Sequence, residues 1–509
     1  MKYRAVLAVA IALATPVAGV AEDASALVAQ AIAQLDSNPK AALRDSDRAL
    51  RLDPSVKGGQ LAHAQALEAL GRDADACAAY RAALAASPDD RTAALGVART
   101  ARKTGDSQAA LAILNTLLSS GLGSGLGSGP GSDEDHDARF ERALVFGRLG
   151  QSDQALADYS ALIHARPSLG ALYNRGWILA DRKENAKALA DFEQAHALRP
   201  NDVDTLNSIG SMLVRLDRHE EALVRFDAAL AIDGRNADAL FGRADANYNL
   251  GRWRAAAAAY HARAALPKPL DALVLEAKSL SQAGDTKAAM AAYDRAIRLD
   301  RQSTAALTGR AALFEANGDT AKAVADYGRA IAAAPTEASF RVQRAFALRT
   351  SQPAAARADI DAALKLDPQS TYALNALGLI QHDAAEYDEA IAAFDKALAL
   401  EPDYEAAYYN RGNAYAAQGR QDRAIRDYNA SLRLSPRDPV TLNAKGEAYR
   451  QVDDYPRAIE EFDAAIEGNP ELALAYWRRA EAREALGDLD AAKSDRARAV
   501  ELDPDLADS

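Results

Sequence analysis

The chain has 509 residues, 49% hydrophobic and 26% charged but only 6% aromatic, which is the composition of a globular chain rich in small helix formers. Its 60 basic and 72 acidic residues leave a net charge of −12, and no Lys/Arg run is long enough to track phosphates, so nucleic acid is not expected as a partner. A single cysteine, Cys77, excludes an intramolecular disulfide and reads as a small buried side chain.

The N-terminus, MKYRAVLAVAIALATPVAGVAED, has Lys2 and Arg4, an apolar run from Ala5 to Ala14, the breaker pair Thr15-Pro16, and small residues at Gly19 and Ala21. That order is expected of a secretory signal peptide over residues 1–21, cut before Glu22. No later run approaches the length of a bilayer span, and no cysteine follows the apolar run to carry a lipid. The expected setting is therefore export, to a bacterial periplasm, as a soluble protein with no membrane span.

Beyond that segment the prolines mark a period. Pro54 and Pro88 are 34 residues apart, and a weaker unit with Ala42 and Ala49 in place precedes Pro54. The next stretch, SSGLGSGLGSGPGSDEDHD at 119–137, is almost free of large side chains. Pro88 and Pro167 are 79 residues apart, two periods of 34 plus 11. Gly105 and Ala110 keep the phase before the stretch, and Gly150, Ala155 and Tyr159 resume it afterwards. One array is thus interrupted by an insertion. The expected parts are an N-terminal arm over 22–118 with about three repeats, a Gly/Ser-rich acidic linker over 119–135, and a main body over 136–509 with about eleven repeats. Such a linker reaches roughly 20 Å, which allows a looped-out insertion in a continuous stack or a hinge. Asp133, Asp135 and Asp137 have the spacing that opens a calcium loop, but Ala138 and Leu144 stand where its glycine and glutamate belong. An acidic helix start is the expectation there.

The phase then runs through Pro167, Pro200, Gly234, Pro267-Lys268-Pro269, Arg301 and Pro335, with single-residue slips. Pro368, Pro402, Pro436, Pro470 and Pro504 close the series at a constant step of 34. A small-aromatic-small triplet travels with it, as Ala188/Phe192/Ala195, Ala222/Phe226/Ala229, Ala289/Tyr293/Ala296, Ala323/Tyr327/Ala330 and Ala390/Phe394/Ala397. Small residues let two helices approach, the ring fills the remaining space, a glycine suits the turn between them, and proline ends the second. The last unit has Arg496 in place of the ring, as suits the polar end of a stack.

The order Tyr408, Gly412, Tyr415, Gly419, Ala424, Tyr428, Pro436 resembles the tetratricopeptide repeat (TPR). The resemblance implies an all-α solenoid of helix hairpins, a right-handed superhelix of about 14 repeats that accounts for nearly all of the chain after the leader. Seven scattered histidines, with no HExxH, CxxC or GxSxG, form no metal or nucleophile constellation, and Arg218-His219-Glu220-Glu221 falls at a turn. A non-enzyme with no cofactor or metal is expected.

What remains is a surface. In TPR proteins one face of the first helices lines a concave groove that receives peptides or protein segments. Carried over position by position, the groove candidates are Tyr173, Asn174 and Trp177; Asn207; Phe241 and Tyr248; Asn375 and His382; Tyr409, Asn410 and Asn413; Asn443 and Arg450; and Trp477. Rings supply contact area and amides pair with a peptide backbone. Asn174-Arg175-Gly176 and Asn410-Arg411-Gly412 have an equally good reading as fold-supporting residues. The basic partners of a carboxylate clamp are not in phase. The expected function is a non-catalytic protein-interaction scaffold. The alternatives are an envelope assembly factor for polysaccharide, cell-wall or cytochrome machinery, the regulatory arm of a separate enzyme, and self-association through the ends of the array.

Overall fold

The computed structural model describes residues 23–119 and 133–508. The signal peptide expected over 1–21 and all but the margins of the 119–135 linker lie outside the described residues. The described chain is all-helical, with 28 α-helices and a short closing 3-10 turn at Pro504–Asp508. Taken in pairs these make 14 hairpins, in agreement with the repeat count expected from the prolines. The chain divides into two compact units, one ending at Arg252 and one beginning at Trp253.

The hairpin Thr371–Asp383 and Tyr387–Leu400 shows how the sequence makes each unit. The Ser370 hydroxyl accepts from the Ala373 amide at 3.2 Å, which satisfies one of the free donors at the helix start. The first helix is closed by a left-handed residue, Ala385, at φ 58°. The same step is taken by glycine in most repeats, Gly318 and Gly419 among them, and by Lys183, Asp217 and Asp453 in others. Asp388 and Glu389 then stand in the first turn of the second helix, where the helix dipole favours negative charge. Ala390, Phe394 and Ala397 are fully buried between the helices.

The ring positions explain the glycines of the first helices. A Cβ on Gly210 would lie 2.6 Å from the Phe226 ring, and one on Gly242 of the next repeat would collide with the same ring. Phe226, 1% exposed, is therefore seated against bare backbone on the first helices of two successive repeats. First helices also contact the first helices of neighbouring repeats, as Thr371–Asp383 does with Glu405–Ala417. One face of these helices is thus shared between repeats.

Within the N-terminal unit, the helices on either side of residues 120–132 pack together. Ser107–Ser119 and Arg91–Thr104 both contact Asp133–Arg148. Leu114 and Leu117 share a buried cluster with Ala138 and Val145, Arg91 pairs with Asp135 at 2.6 Å, and Arg102 pairs with Glu141 at 2.8 Å.

Candidate functional site

Beneath the first-helix face a polar framework ties the two helices of many hairpins together. In six repeats an arginine of the first helix forks onto an aspartate of the second: Arg142–Asp158, Arg175–Asp191, Arg310–Asp326, Arg344–Asp359, Arg411–Asp427 and Arg479–Asp495. The aspartates are buried, and the planar guanidinium satisfies both carboxylate oxygens at once. In five of the six the remaining nitrogen reaches back to the preceding repeat, as Arg310 does to Asp294 and Arg411 to Asp395, each at 2.5 Å. Arg142 makes the equivalent contact with Asn115 at 3.1 Å, on the far side of residues 120–132. Hydrogen bonding to its aspartate raises the pKa of Arg310, against the opposing effect of burial. Lys445 and Glu461, 2.7 Å apart, replace the pair in one repeat. In another the polarity is inverted, with buried Glu276 held by His261 at 2.9 Å and Arg295 at 3.1 Å.

Against this framework the candidates from the sequence fall into two clusters and several separate positions. In the N-terminal unit the Tyr173 and Trp177 rings are 6.4 Å apart and each meets Phe192 edge-on at 5.6 Å. Asn174 of the same helix hydrogen-bonds Tyr159. Asn207, 7% exposed, donates to Asn236 Oδ1 at 2.9 Å and leaves its own Oδ1 buried without a partner. Phe241 and Tyr248 are half-buried on one helix.

In the C-terminal unit, Asn410 Nδ2 donates to Asn375 Oδ1 at 3.0 Å, joining successive first helices. Tyr428 donates its hydroxyl to Asn413 Oδ1 at 2.7 Å, and its ring lies 6.1 Å from that of Tyr409. Asn375, Tyr409, Asn410 and Asn413 are thus brought together over two repeats. His382 meets the Tyr387 ring at 5.4 Å, at the end of its own helix. Asn443 is buried with an unpartnered Oδ1, Arg450 forks onto Glu447 at 2.8 Å, and Trp477 lies under the Arg496 guanidinium at 4.7 Å. Burial pushes the Glu447 carboxyl up, and the hydrogen bonds from Arg450 and Gln451 outweigh it, holding the group below its ordinary value. Among the described residues no three His, Cys, Asp or Glu side chains converge as a metal site requires. Nor is any described helix long and apolar enough to cross a membrane.

The sequence reading missed a cleft on the same face. It has a volume of about 440 Å³ and is lined by Thr308, Ala312, Glu315, Tyr327, Gln343, Phe346 and Tyr372. These side chains come from three successive repeats, so only the repeat phase, applied to the glutamate at 315, could have pointed to it.

The family models agree with this geometry. The Tetratricopeptide repeat model matches residues 61–126, 140–203, 209–268, 274–338 and 443–507, a second Tetratricopeptide repeat model matches 405–438, and a TPR repeat model matches 386–419. Among solved structures, the chain is similar to the APC/C hetero-tetramer Cut9-Hcn1, at 16% identity over 91% of this chain and 96% of that one, with a TM-score of 0.41. It is also similar to a tetratricopeptide repeat protein from Parabacteroides merdae ATCC 43184, at 19% identity over 50% of this chain and 98% of that one, with a TM-score of 0.42. No curated protein matches the sequence.

Proposed function

The chain belongs to the tetratricopeptide repeat family, and on that premise we propose that it is a non-catalytic scaffold that receives an extended segment of a protein partner along its first-helix face. Proteins of this family generally mediate protein–protein interactions, and the repeat is typically a non-catalytic scaffold. The observation that carries the reading is the cluster of Asn375, Tyr409, Asn410 and Asn413, where amides and rings of successive first helices meet on one face. An extended peptide needs both kinds of group, rings for area and amides for its backbone. The unpartnered carbonyl oxygens of Asn207 and Asn443 are acceptors of the same kind at the same helical position. Lys2, Arg4, the apolar run from Ala5 to Ala14 and the small residues Gly19 and Ala21 support export to the periplasm.

The test is affinity capture from envelope extract with wild type and with an Asn410/Asn443/Trp477 triple-alanine variant of matched thermal stability. Partners held by the wild type and lost by the variant support the reading. Identical sets of captured proteins would sink it.

A further inference from the structure

Three repeats carry a glutamate twelve residues before the core position of their second helix, and in each the two side chains bond. Glu68 accepts from Tyr80 at 2.8 Å, Glu315 from Tyr327 at 2.6 Å, and Glu484 from Arg496 at 2.6 Å. Two of the three carboxylates have a cation. Glu68 is forked by Arg99 of the next repeat at 2.5 and 2.7 Å and is touched by Lys103 at 3.3 Å, and Glu484 has Arg496 itself.

Glu315 has none. Among the described residues its bonded partner is the Tyr327 hydroxyl, and the cations of the same and the next first helix and of the turn between are paired elsewhere: Arg310 with Asp294 and Asp326, Lys322 with Asp319, Arg344 with Asp359, Arg349 with Asp383. The reason lies in one position. Arg99 follows the buried small residue Ala98, and the residue following the equivalent Ala345 is Phe346. In place of a guanidinium, the third helix hairpin brings Tyr372, whose ring is 5.5 Å from that of Phe346 and which is 45% exposed. Gln343, whose Oε1 oxygen is buried without a partner, lines the same cleft. A carboxylate and two aromatic rings around an open cleft are the groups that stabilise an organic cation.

We propose that this cleft takes the guanidinium or ammonium group of one arginine or lysine from an extended segment of a partner polypeptide, seated on Glu315 against Phe346 and Tyr372. The partner thereby supplies across an interface the cation that Arg99 supplies to Glu68 within the chain. The proposal rests on the reading that the first-helix face receives polypeptide, and it names the side chain recognised there. The chain's net charge of −12 favours the approach of a basic segment.

The experiment offers the immobilised full chain four pools of decapeptides at physiological ionic strength, with randomised flanks and a central Arg, Lys, citrulline or Glu. Wild type is expected to retain the Arg and Lys pools at least about tenfold over citrulline, the uncharged isostere of arginine, and Glu315→Gln to abolish that preference. Phe346→Arg, which rebuilds the Arg99 arrangement internally, is expected to keep the thermal stability of wild type and lose the same preference. Pools bound without discrimination between Arg and citrulline, or a preference unchanged in both variants, would overturn the cation site while leaving the groove reading in place. Retention of no pool by wild type would overturn both.

Discussion

Arg411 closes on Asp427 through two parallel hydrogen bonds, Nε to Oδ2 and Nη2 to Oδ1, each 2.7 Å, and turns its third nitrogen to Asp395 of the preceding repeat. One side chain therefore ties the two helices of a hairpin and the hairpin to its neighbour. Asp427 is 7% exposed, so removing the guanidinium leaves a buried charge without compensation. Arg411→Ala is expected to destabilise the local stack by about 2–4 kcal/mol. The paired change Arg411→Leu with Asp427→Leu should cost far less, because no charge is then left behind. Hydrogen exchange of the amides in 405–434 is the measurement of choice, since an array of repeats need not unfold in one step. Equal protection in wild type and Arg411→Ala would refute the assignment.

Gly210 meets a ring rather than a turn. Gly210→Ala adds a methyl 2.6 Å from Phe226, and the expected overpacking cost of about 1–3 kcal/mol exceeds the gain of roughly 1 kcal/mol in helix propensity. A lowered melting temperature is the expected outcome, with recovery when Phe226→Leu is added. A stabilised single variant would show that the ring is free to move.

Ala385 holds a left-handed conformation that costs a non-glycine residue about 1–2 kcal/mol. Ala385→Gly relieves that cost and returns part of it to the greater freedom of the unfolded chain, so a gain of up to about 1 kcal/mol is expected. Denaturant melts monitored through the C-terminal unit read it directly.

Glu68 titrates below its ordinary value. Burial raises it, and the hydrogen bonds from Arg99 and Tyr80 together with the charges of Arg99 and Lys103 prevail. A carboxyl depressed on folding contributes stability that is complete above its unfolded value, about 4.3, and is lost as pH falls through the folded value. Protection of the helices Gly59–Ala69 and Arg91–Thr104 should therefore fall as the pH drops below about 4.3, and Glu68→Gln should flatten that dependence. A slope unchanged by Glu68→Gln would assign it to other carboxylates.

The Gly/Ser composition of residues 119–135 predicts proteolytic cleavage there, between the proposed arm and body. The contacts of Leu114 and Leu117 with Ala138 and Val145, and the Arg91–Asp135 and Arg142–Asn115 bonds, predict that the two products co-elute on a sizing column. Separation under native conditions would favour a hinge.

What the sequence determined by itself was periodic and local. The proline step, the Ala-ring-Ala triplet and the small residues of the first helices recur because every hairpin solves the same packing problem, and a pattern recurring along 14 hairpins is legible without coordinates. That phase puts the candidates Asn375, Asn410 and Asn413 on first helices, while the bond between Asn375 and Asn410 is a pairing that only the packed helices supply. The tertiary structure decided everything that depends on which repeat stands next. The Asn410-Arg411-Gly412 tripeptide reads in sequence as fold-supporting but names no partner, and Asp427, sixteen residues on, becomes the other half of a buried fork only when two helices bring them together. Glu315 is distinguished from Glu68 by a missing cation, and that difference lies in Phe346 and Tyr372, on helices supplied by the following two repeats. Electrostatics and burial are properties of a neighbourhood, and in a solenoid the neighbourhood of a side chain is made largely by the repeats on either side of its own.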